Sequence, residues 1–209
     1  MAAWNDENLT RSGIRGKKRD AVIRQAALEF RKRGYHATTM DDIAAALGVT
    51  KGALYRYVKS KDEVLFECFN QSYNIGVFAL KQATAVEGTA AQKVQAFIRI
   101  FIAEYLDANL AGGAMIEIDA LLPEQRRQVV KGRDKLDAQL RHLIVAGIED
   151  GSIADESPKL TIFTFMGAVN WIPSWYAPDG PLTSAEIADN IARILMNGVR
   201  SRAEPPVAG

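Results

Sequence analysis

The sequence is poor in the residues that build several protein classes. It has one cysteine, Cys68, so no disulfide can close within the chain, and a reducing compartment is the expected setting. It has no long hydrophobic run. The most apolar stretch, Ile162 to Val169, falls far short of the ~20 residues of a membrane-spanning helix. The N-terminal residues lack the apolar core of a secretion signal. These absences predict a soluble, cytoplasmic protein. Histidine is scarce, with two in 209 residues. No cluster at metal-ligand spacing, no phosphate-binding glycine loop and no nucleophile elbow can be read along the chain. Neither a cofactor nor a metal is therefore expected. Strand signals are missing as well, because no segment sustains an apolar/polar alternation with β-branched residues.

What is present is helix. Lys17 to Arg33 places Val22, Ile23, Ala26, Ala27 and Phe30 at helical spacing, and Gly34 ends it. Short helices are predicted near 40–47 and 51–57, and longer ones over about 61–84, 90–109, 123–150, 157–175 and 183–201. Residues 1–16 are polar and aperiodic, and 203–209 carry two prolines, so a disordered N-terminal arm and a loose tail are expected. The fold class is all-α.

The net charge of +1 conceals an asymmetry. Residues 1–61 hold 13 Lys/Arg against 6 Asp/Glu, a balance of +7; residues 62–209 hold 13 against 19, a balance of −6. A basic head on an acidic body points to a polyanion as the head's partner.

The segment from Thr38 to Lys61 says how the head would meet it. Thr39 can cap one short helix, with Asp42 three residues on as a variant of the capping box. Ile43, Ala44 and Leu47 make that helix's inner face. Gly48 stands where the chain must turn, Thr50 caps the next helix, and Leu54 packs it back. This is the pattern of a helix-turn-helix, whose second helix enters a DNA major groove. On that second helix Lys51 is placed to reach base edges, and Gly52 lets the backbone approach. Thr50, Tyr55 and Tyr57 offer hydroxyls to phosphate, Arg56, Lys59 and Lys61 offer charge, and the helix N-termini at Thr39 and Lys61 offer oriented amides. The plainer alternative makes the tyrosines core and the cations a solvated face.

From about Arg19 to Phe66 the chain resembles the DNA-binding domain of TetR/AcrR-family regulators. The resemblance rests on the runs Ala26–Phe30, Arg33–Tyr35, Thr38–Ala44, Leu47–Val58 and Ser60–Phe66. It implies about nine helices. Residues 17–62 would be the DNA-binding head, and 63–202 a body that binds a small molecule and dimerises through its last two helices. The operator would be palindromic double-stranded DNA. Where the family often has His-Phe, this chain has Tyr57-Val58.

The body's own pattern supports a homodimer. Ile187, Ile191, Ile194, Leu195 and Val199 form one apolar stripe, and Leu160, Phe163, Gly167, Ala168 and Trp171 another. Two such helices could pair with their copies as a four-helix bundle, or both stripes could face the chain's own core. The segment Gly167–Pro181, with Trp171 and Trp175, resembles part of the TetR-like regulators of fatty-acid, steroid or acyl-CoA catabolism. That suggests a hydrophobic effector, with an acyl-CoA as the candidate. Candidate pocket residues are Phe97, Phe101, Tyr105, Met115, Phe163, Met166, Asn170 and Trp171, for which ordinary core is the alternative. Arg126, Arg127, Arg133 and Arg141 could meet coenzyme A phosphates or simply line a solvated face.

Three rivals remain at this level. An enzyme could use Cys68 with His36 or His142, but Cys68 falls on an apolar helix face, where an inert thiol is expected. A DNA-binding protein without a ligand would share the head and lack a cavity. A drug-sensing repressor of an efflux pump would place acids such as Glu104, Glu117 or Asp119 among aromatics.

Overall fold

The computed structural model describes residues 11–108, 118–177 and 179–197. They form eight α-helices in chain order: α1 (Arg11–Arg33), α2 (Met40–Ala46), α3 (Lys51–Leu54), α4 (Lys61–Thr84), α5 (Ala90–Asp107), α6 (Pro123–Glu149), α7 (Pro158–Trp171) and α8 (Ser184–Asn197). Two 3-10 turns, Ile118–Ala120 and Ile172–Ser174, join them. No strand occurs among the described residues, and no helix there is long and apolar enough to cross a membrane.

The start of α1 differs from expectation. Residues 11–16 are helical rather than part of a disordered arm. They need no buried face of their own, because a helix nucleated at Val22–Phe30 propagates cheaply through its neighbours. The C-terminal boundary of α7 also differs. The helix stops at Trp171 and tightens into the 3-10 turn Ile172–Ser174, which contains Pro173, so Trp175 does not continue the α7 face.

The head closes on Val22, Ile23, Phe30, Ile43, Leu54 and Val58, all nearly inaccessible to solvent. Its joints are capped as the residues require. Thr39 and Asp42 form a complete capping box on α2, Thr50 accepts from the Ala53 amide, and Ser60 accepts from the Glu63 amide. Gly48 has φ +67°, which an L side chain rarely adopts, and this lets α2 turn sharply into α3.

α4 belongs to both halves. Its 24 residues span about 36 Å. The N-terminal half is tied to α1, where Arg19 bridges Glu63 and Glu67 at 3.0 Å each and Gln71 donates to Asp20 at 3.2 Å. The C-terminal half packs on α5 and α6. α5 forms the spine of the body, with Val94, Ile98, Ile102 and Leu106 buried between α4 and α8.

Candidate functional site

The outer side of the head presents a small polar surface. Thr50, Lys51, Gly52, Tyr55, Arg56 and Lys59 are exposed, while Leu54 and Val58, on the opposite side, are buried. α3 is therefore anchored on one side and open on the other, as a groove-reading helix must be. A Cβ at Gly52 would meet nothing within 4 Å, so this stretch of backbone is open to an approaching surface. Thr50 uses a lone pair to accept from the Ala53 amide at 3.2 Å, which leaves its hydroxyl proton able to donate outward.

Lys51 is held before any DNA arrives. Its ammonium pairs with Asp41 at 2.6 Å, and the hydrogen bond to that carboxylate raises its pKa. Both groups are well exposed, so the pair is exchangeable and phosphate or a base edge can compete for the ammonium.

Two candidate phosphate contacts are engaged elsewhere. The Thr39 hydroxyl donates to Asp42 at 2.6 Å, and the resulting hydrogen bonds pull the Asp42 carboxyl below its usual range. The Lys61 ammonium donates to the carbonyls of Tyr35 and Thr38 at 2.9 Å each and lies 4.2 Å from the centre of the Tyr35 ring. Lys61 thus ties the loop between α1 and α2 to the start of α4. Tyr57 is half-buried and packs on the core, so Tyr55 is the more available hydroxyl.

A cavity of about 710 Å³ lies in the body among α4, α5, α6 and α7, within the range typical of small-molecule sites. Of the candidate pocket residues, Phe101, Tyr105, Phe163, Met166 and Asn170 line it. Phe97 does not: it is buried one turn before Phe101 and stacks on it with centroids 5.7 Å apart. Trp171 does not either, because it is 68% exposed on the outer face of α7. Met115 lies outside the described residues. The cavity wall also includes Asn70, Ser72 and Tyr73 of α4, and Arg133, Asp137 and Arg141 of α6. The first three interrupt the apolar pattern of α4, a signal that sequence reasoning passed over. Of the four arginines, Arg126 pairs with Asp119 and Arg127 with Glu124 away from the cavity, whereas Arg133 and Arg141 reach its wall.

The outer face of α7 is apolar and exposed, carrying Leu160, Phe163, Gly167 and Trp171. The stripe on α8 divides. Ile187 is buried against its own chain, and Ile191 and Leu195 are half-buried on the same core, because α8 packs extensively on α5. Only Ile194 of the described stripe is exposed, and Val199 lies outside the described residues. The alternation of apolar positions on α8 thus serves its own core first, which removes Ile187 from the candidate dimer seam.

The Cys68 thiol is buried and donates to the Ile23 carbonyl at 3.8 Å, and burial pushes its pKa up to about 12. It is a thiol without nucleophilic character at neutral pH. No group of three His, Cys, Asp or Glu that could hold a metal ion occurs among the described residues.

Comparison with known proteins agrees with this geometry. Residues 22–68 match the model described as bacterial regulatory proteins, tetR family. Residues 87–199, more than half of the chain, match that of the tetracyclin repressor-like C-terminal domain. The HTH-type transcriptional repressor KstR2 of Rhodococcus jostii is 26% identical over 203 residues, covering 94% of this chain and 96% of the relative. Among solved structures, the TetR-family regulator PfmR of Thermus thermophilus superposes with a TM-score of 0.75 at 27% identity, covering 86% of this chain and 99% of that one. AibR in complex with isovaleryl coenzyme A and operator DNA superposes with a TM-score of 0.68 at 26% identity, covering 86% and 98%. With an open recognition helix at one end and a cavity-bearing helical body at the other, the chain belongs to the TetR family of bacterial transcriptional regulators, which bind DNA and are not enzymes.

Proposed function

We propose that this chain acts as a homodimeric repressor whose grip on a palindromic operator is released by a hydrophobic effector of the acyl-CoA type. The observation that carries the reading is the double duty of α7. Phe163 and Gly167 line the cavity and also belong to the exposed apolar face. A ligand that presses on α7 from inside must therefore disturb whatever covers α7 from outside. With a second copy as that cover, cavity and dimer geometry are coupled, and dimer geometry sets the spacing of the two recognition helices. The seam would consist of Leu160, Phe163, Gly167 and Trp171, with Ile194 at its edge.

The acyl-CoA reading has two supports. The cavity joins the aromatic wall of Phe69, Phe101 and Phe163 to Arg133 and Arg141, so it can hold an apolar group at one part and an anion at another. The solved complex of AibR contains isovaleryl coenzyme A, and curated relatives include a fatty acid metabolism regulator of Bacillus subtilis as well as KstR2. Of the acids that an efflux-sensor reading would use, Asp119 is paired with Arg126 outside the cavity, Glu104 does not line it and Glu117 lies outside the described residues; the acids that do line it are Asp134 and Asp137, the latter paired with Arg141.

On the DNA side, Lys51 would read bases. Thr50, Tyr55, Arg56 and Lys59 would hold phosphate, and Thr39, Tyr57 and Lys61 would act from within by fixing the scaffold. The test is fluorescence anisotropy with DNA from immediately upstream of the encoding gene, at fixed salt of about 100–150 mM because affinity depends steeply on salt. Tight binding released by an acyl-CoA from a panel of chain lengths is the expected result. Tight binding unaffected by the whole panel would remove the effector assignment and leave the DNA-binding role standing.

A further inference from the structure

The cavity is elongated along α6. Gln128, Gly132, Leu136 and Leu140 follow one another at four-residue spacing on one face of that helix, and all four line the cavity. They cover about 18 Å of helix. At one end Gln128 and Arg133 are exposed, and at the other Leu140 is buried. Phe163 and Gly167, also exposed, lie on the α7 face assigned above to a second copy. The space is therefore a slot with a polar mouth beside Gln128 and Arg133 and an apolar end beside Leu140, and Leu136 stands on its wall in between.

What lets a ligand pass Leu136 is a glycine on the facing helix. Gly76 lies inside α4 without the positive φ that would call for glycine, and glycine weakens a helix interior. Its reason is steric. A Cβ at this position would stand 2.6 Å from Leu136 Cδ2 and 3.5 Å from Phe101 Cε2. The first distance is well inside the ~3.5–4.0 Å at which carbon atoms pack. The end of the Leu136 side chain thus rests where a Cβ would be, against the backbone of α4. With that seat filled, the leucine would have to swing away, and the open space beside it is the cavity that Leu136 and Phe101 both line. Gly132 of α6 gives Tyr73 of α4 a shallower seat of the same kind, with a Cβ there 3.3 Å from the ring.

We infer that Gly76 and Leu136 together set the greatest length of effector that the cavity accepts. The inference rests on the effector reading of the cavity given above. With Leu136 seated on Gly76, an acyl chain that enters beside Gln128 and Arg133 runs past it to Leu140. With Leu136 displaced, the chain is stopped after about 12 Å, the stretch of α6 from Gln128 to Leu136. Neither residue has a polar side-chain atom, so the pair acts on the apolar part of the ligand and leaves its headgroup untouched.

The experiment titrates the full-length protein with hexanoyl-, octanoyl-, decanoyl-, dodecanoyl- and tetradecanoyl-CoA, followed by calorimetry. Each methylene that enters the slot should raise the affinity of the wild type about fourfold until the slot is full. Gly76→Ala should bind the short members as the wild type does and stop gaining at a shorter chain, so that the longest chain the wild type accommodates is bound about tenfold or more weakly. Gly76→Ala/Leu136→Ala should restore the long chains, because the truncated side chain clears the slot. Leu136→Phe, with Gly76 intact, should shorten the limit as well, and it decides the matter if Gly76→Ala does not fold. A glycine needed only for helix packing would, when replaced, weaken all lengths alike. That result would overturn the inference and leave the acyl-CoA reading in place, as would an unshifted limit in Gly76→Ala, or in Leu136→Phe where the first does not fold. If the wild type binds no thioester, the acyl-CoA reading falls. The series is then repeated with the free acids of the same lengths, and an unshifted limit there, or no binding at all, overturns the inference.

Discussion

At the scale of single residues, the head separates exposed groups proposed to touch DNA, such as Lys51, from groups already engaged within the fold, such as Lys61. Gly52 is the sharpest case. A methyl group there enters open space, and alanine is a better helix former than glycine by roughly 1 kcal/mol. Gly52→Ala should therefore raise the melting temperature slightly while weakening operator binding. Binding at wild-type strength in anisotropy would show that the backbone does not approach DNA at this point. Lys51 poses a different question, because Asp41 already holds it at 2.6 Å. If Lys51 reads a base, Lys51→Ala should cost about 1–3 kcal/mol on the operator and much less on unrelated DNA. An equal loss on both would make it a phosphate contact.

Lys61 reverses a common expectation about lysines in basic heads. Its ammonium is spent on the carbonyls of Tyr35 and Thr38, so Lys61→Ala should lower the melting temperature and leave the salt slope of DNA binding unchanged. A slope flattened by about one charge would return Lys61 to the phosphate contacts. The capping box carries a pH signature. Hydrogen bonds from Thr39 depress the Asp42 pKa in the folded head, so their contribution is complete above the ordinary carboxylate pKa and disappears as pH falls through the lowered value. Asp42→Asn should accordingly be less stable than the wild type near neutrality, and the gap should narrow in acid, read by thermal melts from pH 7 to about pH 3.

At the scale of elements, α7 and α8 carry apolar stripes of similar appearance and put them to different uses. α8 sends Ile187 and Ala188 into the core against α5, and the partly buried Ile191 and Leu195 follow them. α7 buries Ile162 and Val169 and leaves Leu160, Phe163 and Trp171 in solvent. This exposed apolar face of α7 is the seam proposed above for a second copy. Leu160→Glu should therefore give a monomer with a normal helical circular dichroism spectrum. Dimers of undiminished stability in sedimentation would exclude the α7 seam. In the wild type, dissociation on dilution should red-shift tryptophan emission as Trp171 enters water.

At the scale of the whole molecule, the question is how the body reaches the head. α4 runs through both, locked to α1 by Arg19 with Glu63 and Glu67. A second link joins the end of α1 to the segment after α7, where Arg31 donates to the Tyr176 carbonyl at 3.4 Å. It leads from the wall of the cavity to the head by a route that bypasses α4. Arg31→Ala should leave operator affinity near the wild-type value without effector and reduce the factor by which effector lowers it. An unchanged factor would leave α4 as the sole carrier. Coupling of this kind is a difference in affinity between two states, so the ratio is the quantity to measure.

Much of this was legible along the chain. The capping residues Thr39, Asp42 and Thr50 and the turn at Gly48 act within a few residues of themselves, so local chemistry decides them, and the α2–turn–α3 unit follows from order alone. Helical periodicity, the basic head and the missing strand signals likewise determined the all-α class and the end that meets DNA. Tertiary structure decided the rest, because it turns on partners remote in sequence. The Lys61 ammonium finds carbonyls 26 and 23 residues away. Phe97 and Phe101 stand one helical turn apart with the same chemistry, yet only Phe101 meets the cavity, since the rotation of α5 between α4 and α8 sets which side faces the space. Ile187 and Ile194 belong to one periodic stripe, and the wide contact of α8 with α5 buries the first and leaves the second outside. A period specifies that a helix has an apolar face; which neighbour covers that face, and what remains open, is settled only when all the helices pack at once.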